Sequence, residues 1–166
     1  MTPLIQKIVV PVDFSESCQR ATSYAAALAR RLDASVHLIH VLPPSTVVTG
    51  PLEFYGGDGS EVRERMQQNA RARLAAIATG LQHDTNRIMT EVRTGPTTQS
   101  INQAVIDYGA DLVIMGTHGR SGLSHLLLGS VAEGVMRTAA CPVLVVRALG
   151  GVQTQPLRAA ESIEMA

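Results

Sequence analysis

The sequence predicts an α/β domain: an open five-stranded parallel sheet of strand order 3-2-1-4-5 with helices on both faces. Three observations carry this expectation. Short apolar runs alternate with helical patterns along the chain. Apolar residues make up 45% and aromatic residues 3%, with no Trp, so the core is built from Val, Ile, Leu and Ala, as in parallel sheets covered by helices. Strands one and four carry continuous apolar runs, as central strands do, whereas strand three keeps one polar face, as an edge strand does.

Each element has its own signal. Residues 8–12 form strand one, with Pro11 tolerated because the ladder ends there. Asp13, Phe14 and Ser15 offer an N-cap, and Ala21, Tyr24, Ala25, Leu28, Ala29 and Leu32 then recur at helical spacing. Residues 36–42 form strand two. The segment 43–60, with three prolines and four glycines, is too long for a routine connection. Helix two spans residues 61–81 on a stripe of Val62, Met66, Ala70, Leu74, Ile77 and Leu81; Arg63, Arg65, Arg71 and Arg73 read as its solvated faces. In strand three, residues 87–93, Ile88, Thr90 and Val92 alternate with Met89, Glu91 and Arg93. Ile101, Ala104, Val105 and Tyr108 mark helix three, stopped by Gly109. Strand four is 111–115, helix four 130–139 and strand five 142–146. Residues 1–149 form one domain, and 150–166 are expected to be a flexible tail.

Charge narrows the partners. Fourteen basic residues balance fourteen acidic ones, so no surplus grips nucleic acid or an anionic membrane. No apolar run approaches the roughly 20 residues of a membrane span, so no membrane insertion is expected. Cys18 and Cys141 are two isolated cysteines, read as small buried residues in a reducing cytoplasm. Lys7 is the only lysine, and it lies in strand one. Any bound phosphate must therefore be met by Arg, His, a metal ion or backbone N–H groups.

In the predicted topology, ligands bind at the carboxyl ends of strands one and four, where the connections leave on opposite faces. Residues 11–13 and 115–119 should face each other there. The glycine-rich segment from Gly116 to Ser130 lets main-chain amides approach an anion, and Gly129-Ser130 opens a helix whose dipole favours one. The Ser130 hydroxyl can cap that helix or bond a phosphate oxygen. Each such interaction contributes about 0.5–2 kcal/mol, so several must converge to reach the roughly 8 kcal/mol of a micromolar site. Neither a Walker A loop nor a dinucleotide Gly-x-Gly-x-x-Gly after strand one is present, and no Gly-x-Ser-x-Gly elbow appears. His37 and His40 lie on opposite faces of strand two and read as one surface and one packed histidine. His118 either bonds the phosphates or caps a turn. Asp13 accepts hydrogen bonds from a nucleotide or from the loop after strand one. Gly134 sits inside helix four with no reason legible in the sequence.

The spacing Gly116-x2-Gly119-x9-Gly129-Ser130 resembles the Gly-x2-Gly-x9-Gly-Ser/Thr signature of the ATP-binding universal stress proteins. Residues 120–123, 128–133, 8–13 and 141–146 resemble that family in the same order, over about residues 4–148. The resemblance implies a Rossmann-like, adenine nucleotide alpha hydrolase-like fold. It implies ATP, with Mg²⁺ as its usual companion ion, in the cleft between strands one and four. Pro11, Val12 and Asp13 would lie near adenine and ribose, with the Val41 backbone beside the adenine. Met115, Gly116, Gly119, Arg120, Gly129, Ser130 and Val131 would line the ribose and phosphates, with His118 beside them. His125 stands where the family is often basic.

The resemblance further implies a homodimer and a stress-response regulator with weak or no hydrolysis. Strand five, Val143–Val146, is apolar on both faces at a sheet edge, which invites pairing with a second copy. Three functions fit: a regulator whose ATP occupancy is read by a protein partner, a slow ATPase or adenylate-transferring enzyme, and a dimeric interaction module holding AMP or no nucleotide.

Overall fold

Ile8, Val9 and Val10 are completely buried, because strand β1 (Lys7–Pro11) runs through the middle of the sheet. In the computed structural model, residues 4–44, 60–82, 87–117 and 128–147 are described. After β1 come α1 (Glu16–Leu32), β2 (Ser35–Leu42), α2 (Ser60–Leu81), β3 (Ile88–Thr94), α3 (Thr97–Tyr108), β4 (Leu112–Gly116), α4 (Ser130–Thr138) and β5 (Val143–Val146). All strand pairs are parallel, in the order β3-β2-β1-β4-β5 that the sequence predicts. The boundaries differ from expectation by a residue or so at several ends. β1, for example, closes at Pro11, after which Val12 N–H still donates to the Ile39 carbonyl at 2.7 Å.

Strand alternation divides the interior into two layers. Ile8, Val10, Leu38 and Ile114 pack with Ala21, Ala25 and Ala29 of α1 and Leu74 of α2. Val9, Ile39, Val113 and Met115 pack with Ile101, Ala104 and Val105 of α3 and Ala132 and Val135 of α4. The buried face of α1 is rich in alanine, so its backbone comes close to the sheet and its first turn reaches the end of β4. Ser15 caps α1, accepting from Cys18 N–H at 3.3 Å. Gly109 closes α3 in the left-handed region at φ 64°, as its glycine predicts.

Several expectations are corrected. His37 and His40 do occupy opposite faces, but both are buried, at 5% and 7% exposure. His37 packs on Tyr108, and its Nε2 lies 3.1 Å from Glu91 of the polar edge strand. Cys18 is buried, whereas Cys141 is only partly covered. Arg73 does not simply decorate a solvated face: its guanidinium stacks 3.8 Å from the centre of the Phe14 ring. Most of segment 43–60 and the whole tail 150–166 lie outside the described residues.

Candidate functional site

At the carboxyl ends of β1 and β4, α1 departs to one face of the sheet and α4 serves the other. A cavity of about 200 Å³ opens at this divergence. Pro11, Val12, Asp13, Val41, Met115, Gly116, Gly129, Ser130 and Val131 all line it. Its walls also include Cys18, Ile39, His40, Thr97, Ile101, Thr117 and Ala132. His118, Gly119, Arg120 and His125 lie outside the described residues.

The loop after β1 is fixed by side chains. Asp13 Oδ1 accepts from the Ser15 N–H at 3.0 Å and from the Ser15 hydroxyl at 2.6 Å, so the carboxylate closes the turn that starts α1. Between them Phe14 adopts φ 66°, a left-handed conformation that costs about 1–2 kcal/mol for a residue with a Cβ. The Val12 carbonyl accepts from His40 Nδ1 at 2.6 Å. A carbonyl can only accept, so Nδ1 carries a proton. Burial pushes the Cys18 thiol up to about 11, and its Sγ donates to the Pro11 carbonyl at 3.7 Å. Cys18 therefore contributes bulk and no thiolate.

On the opposite wall, β4 passes to Gly116 and Thr117. A Cβ on Gly116 would stand 2.7 Å from Ser17 Oγ and 3.0 Å from the Ser17 carbonyl carbon. The missing side chain thus lets α1 abut β4 at the cavity edge. Gly129 N–H donates to the Thr117 carbonyl at 2.8 Å, and Thr117 N–H donates to Val146 at 3.1 Å. These bonds pin the residues on either side of segment 118–127.

Gly129 is the N-cap of α4, with no side-chain cap, and its carbonyl accepts the first helical bond from Glu133. The N–H groups of Ser130, Val131 and Ala132 stand ahead of that bond, outside the helical ladder. These are main-chain donors at the position the glycine-rich segment leads to, but the Gly129 N–H itself is committed to Thr117. Ser130 is the first residue inside the helix, so its hydroxyl is not the cap.

The cavity is mostly apolar toward Ile39, Ile101 and Met115, and carries backbone donors at the α4 end. Lys7 is far from it in the fold, at the amino ends of the strands, donating to the Tyr108 carbonyl at 3.0 Å. Among the described residues, no three His, Cys, Asp or Glu side chains gather as a metal site. The arrangement suits a flat apolar group held inside, with an anion at the helix end. His40 and Thr97 were missed because a strand histidine and a helix-opening threonine carry no motif. Thr117 reads only as loop filler between glycines.

The model of the universal stress protein family matches residues 4–147. Universal stress protein G of Escherichia coli O157:H7 is 36% identical over 146 residues, covering 87% of this chain and all of the relative. The solved structure of the hypothetical protein MJ0577 superposes with a TM-score of 0.78 at 28% identity, covering 89% of this chain and 99% of that one. A universal stress protein from Archaeoglobus fulgidus, solved in complex with dAMP, shares the fold at a TM-score of 0.60 and 21% identity, covering 86% of this chain and 98% of its own. Another universal stress protein, solved in complex with cAMP, does so at 0.61 and 23%, covering 86% and 96%.

Proposed function

Because the chain belongs to the universal stress protein family, we propose that it is an ATP-binding regulator whose cleft occupancy is read by a protein partner. The single observation behind this reading is the convergence of the β1 loop, the end of β2 and the start of α4 on one cavity. The adenosine moiety occupies the apolar part, between Val12, Val41 and Met115. Asp13 lies at the ribose, where a carboxylate is a suitable acceptor for sugar hydroxyls. A cavity of about 200 Å³ is below the roughly 300–1,000 Å³ of drug-sized sites, so the phosphates extend beyond it over the start of α4. There Ser130, Val131 and Ala132 N–H groups meet their charge, with His118, Gly119 and Arg120 contributed by the segment between β4 and α4. Mg²⁺ arrives bound to the phosphates, since the described side chains gather no metal site. Related folds that hold dAMP and cAMP support an adenine nucleotide as the ligand class.

Mass spectrometry of nucleotide co-purifying with the protein tests the ligand, and incubation with ATP and Mg²⁺ tests turnover. Retention without steady ADP or pyrophosphate release is expected; sustained release would favour an enzyme. Gly129→Val tests the site cleanly. Gly129 sits at φ −64° and ψ 146°, which valine adopts without strain, so a loss of binding reports blocked approach to the α4 amides. ATP affinity should fall at least tenfold, and unchanged affinity in a titration would remove the phosphates from this helix end.

A further inference from the structure

Phe14 occupies an unusual place. It is a bulky residue held at φ 66°, directly between Asp13, which lines the cavity, and Ser15, which caps α1. Its ring lies 4.6 Å from the His40 imidazole, centre to centre, and the Arg73 guanidinium lies 3.8 Å from the same ring centre. His40 lines the cavity and holds the Val12 carbonyl. Arg73, Phe14, His40 and Val12 thus form a continuous column from α2 to the cavity wall. The two contacts on the Phe14 ring compensate a backbone conformation that a phenylalanine does not favour by itself.

We propose that Arg73 is a positioning residue for the nucleotide cleft, acting from α2 through the Phe14 ring to set the loop that presents Val12 and Asp13. This rests on the nucleotide reading of the cavity and adds to it a residue outside the cavity wall. A cation over an aromatic face constrains the ring without a covalent tie, and the guanidinium plane suits stacking better than an ammonium does. With Arg73 removed, the ring keeps its packing on the apolar core but loses the cation contact from α2, and Phe14 is held less firmly. Asp13 and Val12, one and two residues before it, then lose their fixed aim into the cleft. The adenosine end of the ligand feels this change, while the amides at the start of α4 do not.

Four full-length proteins test the idea: the wild type, Arg73→Ala, Arg73→Lys and Arg71→Ala. Arg71 is an exposed arginine on the same helix, so its removal deletes the same charge without touching Phe14. In ATP titrations, Arg73→Ala should bind about three- to tenfold more weakly, Arg73→Lys should recover part of that loss, and Arg71→Ala should match the wild type. The nucleotide-free proteins supply a second readout. The His40 ring-proton NMR resonances should move in Arg73→Ala, because the neighbouring ring current changes, and stay in place in Arg71→Ala. Wild-type-like binding by Arg73→Ala, or equal weakening by Arg71→Ala, overturns the proposal. Static His40 resonances in Arg73→Ala overturn it as well. If the wild type binds no nucleotide, the functional reading falls, and the resonances still decide whether the column exists.

Discussion

Gly134 stands in the middle of α4, where the sequence offers no reason for a residue costing about 1 kcal/mol relative to alanine. The structure supplies the reason. A Cβ there would sit 3.0 Å from both Cγ2 and Oγ1 of Thr98, so α3 and α4 approach closely enough that an alanine fits only if the Thr98 side chain shifts. Gly134→Ala alone should therefore gain no stability in urea unfolding. In a Thr98→Ala background the same substitution should stabilise by about 0.8–1 kcal/mol, since the helical gain is then no longer offset by the clash. A stabilised single variant would show that Thr98 yields at no cost. Gly116 follows the same logic at the cavity edge, where its neighbour is Ser17 backbone as well as side chain. Single residues were the least legible scale for this reason: glycine spacing announces a motif, but the partner of each glycine lies far away in sequence. Asp13 was readable because its partner is Ser15, two residues on.

At the scale of elements, β2, β3 and α3 are tied by one polar chain. His37 on β2 meets Glu91 on β3 at 3.1 Å, Arg93 holds Glu91 at 2.6 Å, and Arg93 also reaches Asp107 on α3 at 2.8 Å. Burial pulls the His37 pKa below its ordinary 6.5, outweighing the attraction of Glu91, while Arg93 pushes the same way as burial. The contact is then a neutral Nε2–H donating to the carboxylate, and the Nδ1 atom has no partner among the described residues. Protonation would place a second N–H in a buried spot with no acceptor. The unfolded chain takes up that proton from pH 6.5 downward before the folded one does, so stability is full above 6.5 and declines as the pH falls beneath it. Thermal midpoints across this range should drop with acidity in the wild type and drop less in His37→Gln; equal slopes would assign the effect to another group. Element type and order were legible because period-two and period-3.6 patterns are local. The ties between elements were not: Glu91 and Arg93 read simply as the polar face of an edge strand, and a histidine on the adjacent strand gave no hint of joining them.

For the whole molecule, the order β3-β2-β1-β4-β5 leaves two edges of different character. The β3 edge carries exposed Met89 beside the Glu91–Arg93 pair, with charge that discourages strand addition. The β5 edge is Val143-Leu144-Val145-Val146, half-buried throughout and, among the described residues, bonded to β4 on one side only. Leu144 and Val146 pack toward α1, and Val143 packs toward α4. Val145 belongs to neither buried cluster. An apolar strand with such an edge invites a second copy across a two-fold axis, because each chain would then offer the other the same edge. The protein should sediment as a dimer at micromolar concentration. Val145→Lys places a charge on that edge at little expense to either core layer, so it should shift the protein to a monomer while the circular dichroism of the fold persists. A wild-type monomer under these conditions would argue that β5 is covered by something other than its own copy. A variant that stays dimeric would move the interface away from this strand.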